Sequence, residues 1–214
     1  MRVRVKICGI TNPADAELAA SLGADMIGLN FYAQSPRFID KETARSIVEV
    51  LPTGVEPVAL FVEELITRIQ STIQPLNLRT VQMHGELNEC LMSGTRCIAA
   101  FSVRDAVSLQ NITAQLDLFA SVGDVPFAIL VDAHVPGQYG GTGQTAPWHL
   151  LADFKPGVPL ILAGGLTPEN VAEAIRIVRP YAVDVASGVE SAPGKKDAEK
   201  MRRFIDAVRA SSDS

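Results

Sequence analysis

Cysteine is scarce in this chain, with three in 214 residues, at positions 8, 90 and 97. Three make neither an even disulfide set nor a metal-ligand pattern, so a reducing compartment, the cytoplasm, is expected. No apolar stretch approaches the roughly 20 residues a membrane helix needs. The opening Met1-Arg2-Val3-Arg4-Val5-Lys6 lacks the apolar core of a signal peptide. Long basic runs are missing too. Lys195-Lys196 and Arg202-Arg203 are short and lie among acids, and the formal net charge is -5, which argues against a nucleic-acid partner. No His/Asp/Glu cluster has metal-ligand spacing, and no dinucleotide fingerprint follows an apolar run, so neither metal nor cofactor is expected. No linker or repeat divides the chain. A single domain over 1–209 is expected, with a mobile tail at 210–214.

What the chain does have is a rhythm. Short apolar runs recur at 3–7, 26–30, 57–61, 78–82, 97–101, 127–131, 160–162 and 182–185. They are continuously apolar rather than alternating, as parallel strands covered on both faces are. Between them apolar residues fall at helical spacing. Ala16, Leu18, Ala19 and Leu22 precede Gly23; Ala44, Ile47, Val48 and Leu51 precede Pro52; Val171, Ala174, Ile175 and Val178 precede Pro180. Thr11 or Asn12 can cap a helix that opens at Pro13. Thr167 with Pro168 reads as another helix start, and Trp148 as a third. The weakest stretch is 70–96, where Pro75 interrupts and 86–92 makes a short helix at best. Strand alternating with helix implies right-handed βαβ units, and a count of eight favours a closed (β/α)8 TIM barrel.

In such a barrel the residues just after each strand meet at one rim, where the chemistry is kept. Cys8 ends the first run and Asp132 the sixth, a thiol and a carboxylate suited to proton transfer. Asn30 and the loop Phe31-Tyr32-Ala33-Gln34-Ser35-Pro36-Arg37 follow the second, and Gln82 and His84 end the fourth. Gly164-Gly165 follow the seventh run; Asp184, Ser187 and Gly188 close the eighth. Glycines beside a helix start let a phosphate approach backbone N–H groups, and two neighbouring loops of this kind point to a phosphate cradle. Gly140-Gly141-Thr142-Gly143 lacks the lysine of a P-loop; Gly141 is a further N–H donor or part of a flexible cover. The guanidinium of Arg37 suits a carboxylate or phosphate. Strand alternation is taken to turn Lys6 away from the rim, leaving helix N–H groups to support Cys8.

Lys6-Ile7-Cys8-Gly9-Ile10-Thr11, Gly28-Leu29-Asn30-Phe31-Tyr32 with Ser35-Pro36-Arg37, and Gln82-Met83-His84-Gly85 are followed by Val131-Asp132, Ala163-Gly164-Gly165-Leu166 and Asp184-Val185-Ala186-Ser187-Gly188-Val189-Glu190. In this order they resemble the phosphoribosylanthranilate isomerases of tryptophan biosynthesis, over nearly the whole chain. The resemblance implies a cofactor-free Amadori rearrangement of an aminoaldose to an aminoketose. It puts the general base on Cys8, the general acid on Asp132 and the anthranilate contact on Arg37. It puts the phosphate cradle on Gly164, Gly165, Ser187 and Gly188, in a monomer or homodimer acting on a small phosphosugar. Ala186 stands where the family often has a second serine, and Ala146-Pro147 where an acid is frequent. The rivals are the related histidine-pathway isomerase, whose substrate carries two phosphates, and a non-catalytic phosphosugar-binding barrel. Strands three and four lead into Phe61-Val62-Glu63-Glu64 and His84-Gly85-Glu86, acids rather than a second cradle, and Cys8 replaces the aspartate expected of the histidine-pathway enzyme.

Overall fold

The apolar runs become eight parallel strands that close on themselves. The computed structural model describes residues 2–85, 94–133 and 148–212. Its barrel strands are β1 (Arg4–Cys8), β2 (Met26–Asn30), β3 (Glu56–Val62), β4 (Thr80–His84), β5 (Arg96–Val103), β6 (Ala128–Ala133), β7 (Leu160–Leu162) and β8 (Ala182–Val185), each paired with the next and β8 with β1. Around them lie α1 (Pro13–Leu22), α2 (Lys41–Val50), α3 (Ile66–Ile73), α4 (Ala106–Ser121), α5 (Trp148–Leu151), α6 (Val171–Val178) and α7 (Ala198–Ser212). The expected short helix at 86–92, and Cys90 with it, lies outside the described residues.

Alternation along each strand makes two cores. Ile7, Ile27, Ala59, Val81, Ala99, Ile129, Val131, Leu162 and Val183 face outward and pack under the helices. Met26, Val58, Ile98, Ala128, Leu130, Ile161 and Ala182 fill the lumen. Below them a polar floor closes the barrel. Glu56 bonds Thr80 and Arg96, Arg4 donates to the Tyr181 hydroxyl at 2.8 Å, and Arg96 lies over the Phe127 ring.

Local chemistry sets most element ends. Asn12, rather than Thr11, caps α1, its side-chain oxygen accepting from Asp15 N at 2.9 Å. Three expected ends move. The fourth strand begins at Thr80, two residues late, because Leu78 N bonds Ile73 O at 3.1 Å and so finishes the helical turn around Pro75. Helix α6 begins at Val171, because the Asn170 side chain holds Thr167 N at 2.8 Å and Gly165 O at 2.9 Å, shaping 167–170 as a separate turn. The last helix continues through Ser212, so residues 210–212 of the expected tail belong to α7. There the Ser211 hydroxyl bonds back to the Ala207 and Val208 carbonyls.

One element was not anticipated. Between β8 and α7 the chain makes a small hairpin, β9 (Glu190–Ala192) and β10 (Lys195–Lys196). It folds beneath the loops that follow β1 and β2: Thr11 donates to Gly194 O, and Lys196 N donates to Asp15 Oδ2 at 3.1 Å. No helix among the described residues is long and apolar enough to cross a membrane.

Candidate active site

The upper lumen turns polar. Cys8 is the last residue of β1 and packs with Leu60, Val62, Tyr32 and Ala186. Asp132 follows Leu130 and Ala128 on the inward face of β6, opposite Ser102 of β5. Both expected proton-transfer groups therefore face one lumen from the carboxyl ends of their strands.

Lys6 is the main departure. Two residues separate it from Cys8, so alternation places both on the same face, and the expectation that it turns from the rim is corrected. Its ammonium is fully buried and donates to Asp184 Oδ1 at 2.9 Å. The neighbouring strand makes room. A Cβ built on Gly28 would lie 2.7 Å from Cys8 Sγ and 3.1 Å from Lys6 Nζ, so only glycine lets thiol and ammonium share this point. Burial opposes the Lys6 charge, but Asp184 and Cys8 more than offset it and its pKa is raised. Burial and Asp184 push the Cys8 thiol up, Lys6 and Lys196 pull it down, and on balance burial leaves its pKa raised.

Glu190 closes the last of the sequence motifs. In the fold its carboxylate takes Arg37 at both oxygens, Nε to Oε1 at 2.8 Å and Nη2 to Oε2 at 2.6 Å. Lys196, also buried, donates to Glu190 Oε1 at 2.9 Å and to Ala186 O at 3.1 Å. Burial opposes the Glu190 charge, yet Arg37 and Lys196 hold its pKa below the usual carboxylate range. The bond to Glu190 raises Arg37, and burial lowers Lys196 despite its carboxylate partner. Neither Glu190 nor Lys196 carried a signal in sequence beyond following the eighth strand, since the hairpin alone brings them inward.

The remaining expected residues separate by task. Asn30 shapes the loop after β2: its oxygen accepts from Tyr32 N at 2.9 Å and its amide donates to Ser35 Oγ at 3.0 Å. His84 Nε2 lies 2.7 Å from Gln82 Nε2, while Gln82 Oε1 is buried with no hydrogen-bond partner among the described residues. The Gln82 amide can donate to His84 Nε2 when the imidazole carries its proton on Nδ1. Burial, then the Lys6 charge, lowers the His84 pKa to about 4. Gly164 and Gly165 have φ of 89° and 63°, the left-handed region that favours glycine, and Gly188 presses on the Leu166 carbonyl oxygen, so the loops after β7 and β8 touch. Ser187 opens a single 3-10 turn, Ser187–Val189, in the second of these loops. Gly141 lies outside the described residues.

The sequence model of the family described as N-(5'phosphoribosyl)anthranilate (PRA) isomerase matches residues 5–207. The chain belongs to this family. An N-(5'-phosphoribosyl)anthranilate isomerase of Acidithiobacillus ferrooxidans is 46% identical over 209 residues, spanning 97% of this chain and 98% of its own. One from Geobacter metallireducens is 45% identical over 210 residues, 97% of this chain and all of its own. The crystal structure of the phosphoribosylanthranilate isomerase of Thermotoga maritima superposes with a TM-score of 0.84 at 37% identity, covering 97% of this chain and 99% of the other. Membership makes this a phosphoribosylanthranilate isomerase of tryptophan biosynthesis, an aldose–ketose isomerase on a TIM barrel.

Proposed function

We propose that Cys8 is the general base and Asp132 the general acid in the Amadori rearrangement of N-(5-phosphoribosyl)anthranilate. The observation that carries this is the pair itself, a thiol and a carboxylate at the ends of β1 and β6 facing one lumen. Asp132 protonates the ribose ring oxygen, the C1–O bond breaks, and the nitrogen lone pair forms a protonated Schiff base. That cation acidifies C2–H. The Cys8 thiolate takes this proton, the electrons flow into the C1–C2 bond, and the enolamine tautomerises to 1-(2-carboxyphenylamino)-1-deoxyribulose 5-phosphate. Each positioned proton transfer supplies about 10²–10⁴ in rate. The touching loops at Gly164-Gly165 and Ser187-Gly188 hold the 5-phosphate and fix the sugar between base and acid. Arg37, already oriented by Glu190, keeps donor capacity for the anthranilate carboxylate.

A related isomerase structure holds reduced 1-(o-carboxyphenylamino)-1-deoxyribulose 5-phosphate, at 36% identity and a TM-score of 0.81, which supports the same ligand here. Another solved structure is of monomers generated from a dimeric isomerase of Thermotoga maritima, which supports a homodimer as the assembly to test here. The scarcity of cysteine, three in 214 residues, supports a cytoplasmic setting.

The test is loss of the fluorescence of freshly generated phosphoribosylanthranilate on adding protein. Cys8→Ala is expected to lose nearly all turnover while still binding a reduced product analogue. Near-normal turnover in Cys8→Ala would remove the thiol from the mechanism.

A further inference from the structure

Five charged side chains are gathered around the Cys8 thiol with most of their surface buried. Lys6 and Lys196 have no exposed side-chain surface; Asp184, Glu190 and Arg37 are 9%, 4% and 13% exposed. Lys6 pairs with Asp184, and Arg37 and Lys196 share Glu190. Within this cluster of described residues, three cations against two carboxylates leave one positive charge over. An uncompensated buried charge costs several kcal/mol, so the site must supply a counter-ion or give up a proton.

We propose that Lys6 is a positioning residue, and that its ammonium, anchored by Asp184, is the counter-ion of a Cys8 thiolate in the free enzyme. This rests on the reading of Cys8 as the base: burial raises the thiol, and the ammonium crowded against it is the largest opposing influence. Three observations converge on Lys6. Its ammonium and the thiol crowd one point, left open by Gly28. Asp184 holds it from the strand on the other side, in register with Lys6. Lys196 donates instead to Glu190 and the Ala186 carbonyl, so it is already committed elsewhere. The other titratable groups facing the thiol do not supply the missing charge. Arg37 is bound at both oxygens of Glu190, Tyr32 packs beside Cys8, and His84 is neutral above about pH 5. Asp132 faces the same lumen from β6 and is assigned to the ring oxygen.

The experiment is the pH dependence of Cys8 alkylation by iodoacetamide, located by mass spectrometry, which reads the thiolate without turnover. A free thiol titrates near 8.5. Wild-type alkylation is expected to follow an apparent pKa at or below about 7.5. Lys6→Met is expected to move it above about 9 and slow alkylation at pH 7 by at least about 10-fold. The double variant Lys6→Met/Asp184→Asn removes both charges and should stay high. A return of the double variant to the wild-type value would mean that Lys6 only neutralises Asp184, and the proposal falls. A wild-type thiol titrating at 8.5 or above also overturns it, since the surplus charge is then shed from Lys196, and this arm stands even if the variants do not fold. Turnover in Cys8→Ala with a low wild-type thiol pKa would instead defeat the base assignment alone.

Discussion

Single side chains in this lumen are governed by what burial does to their charge. His84 shows it most simply. Its pKa lies near 4 in the fold against 6.5 ordinarily. As pH falls below 6.5 the unfolded chain takes up a proton that the folded chain refuses until about pH 4. Stability is therefore full above 6.5 and declines across that window, by roughly 3 kcal/mol in all. His84→Gln, which cannot titrate, is expected to flatten the acid limb of a urea-midpoint profile between pH 4 and 6.5; an unchanged limb would assign the acid sensitivity elsewhere. Asp132 bears on rate instead. Asp132→Asn keeps the shape and loses the transferable proton, so kcat should fall by about 10² or more with little change in product-analogue binding. The chemistry of both residues was legible in the sequence because strand ends are legible. Lys6 follows the same strand rule: positions 6 and 8 differ by two, and a period of two puts them on one face.

At the level of elements, loops and strand ends place charges that no single run encodes. The loop after β2 is fixed by Asn30 and Ser35, which bring Arg37 against Glu190 of the hairpin β9–β10. Arg37→Ala should raise KM for phosphoribosylanthranilate by more than about 10-fold, the worth of a charge-assisted hydrogen bond of about 1.5–3 kcal/mol. Glu190 then keeps Lys196 as its partner, so the fold is expected to survive, as circular dichroism would report. An unchanged KM would reduce Arg37 to a strut for the hairpin. On β2 the critical feature is an absence. Gly28→Ala drives a methyl into Cys8 Sγ and the Cys8 backbone at 2.7 and 2.9 Å, closer than side chains pack, so thiol and ammonium must separate. We expect turnover to drop at least about 10-fold with slower Cys8 alkylation at pH 7; normal values for both would show that the lumen yields there at no cost. The hairpin was invisible beforehand, since strands of three and two residues carry no periodicity.

For the molecule as a whole, one barrel keeps stability and chemistry in separate layers. Apolar side chains fill the lumen below the site and the shell outside it, so the polar cluster sits on a rigid base. Phe204 of α7 is fully buried in the outer shell, away from the rim. Phe204→Ala is expected to lower stability by about 3–5 kcal/mol in urea titration while leaving KM of the folded enzyme unchanged. A shifted KM would show that outer shell and site are coupled.

The sequence by itself determined the eight barrel strands, the parallel sheet, the glycine-rich loops proposed to cradle phosphate after the last two of those strands, and the two groups proposed for proton transfer. Those follow from local rules: continuous apolar runs, helical spacing, and glycine and asparagine at turns. Only the tertiary structure decided the electrostatics of the site. Lys6 meets Asp184 across 178 positions and Arg37 meets Glu190 across 153, distances at which no local pattern reports contact. Barrel closure brings β8 beside β1, and burial there turns surface-type charges into a cluster whose balance sets the state of the thiol.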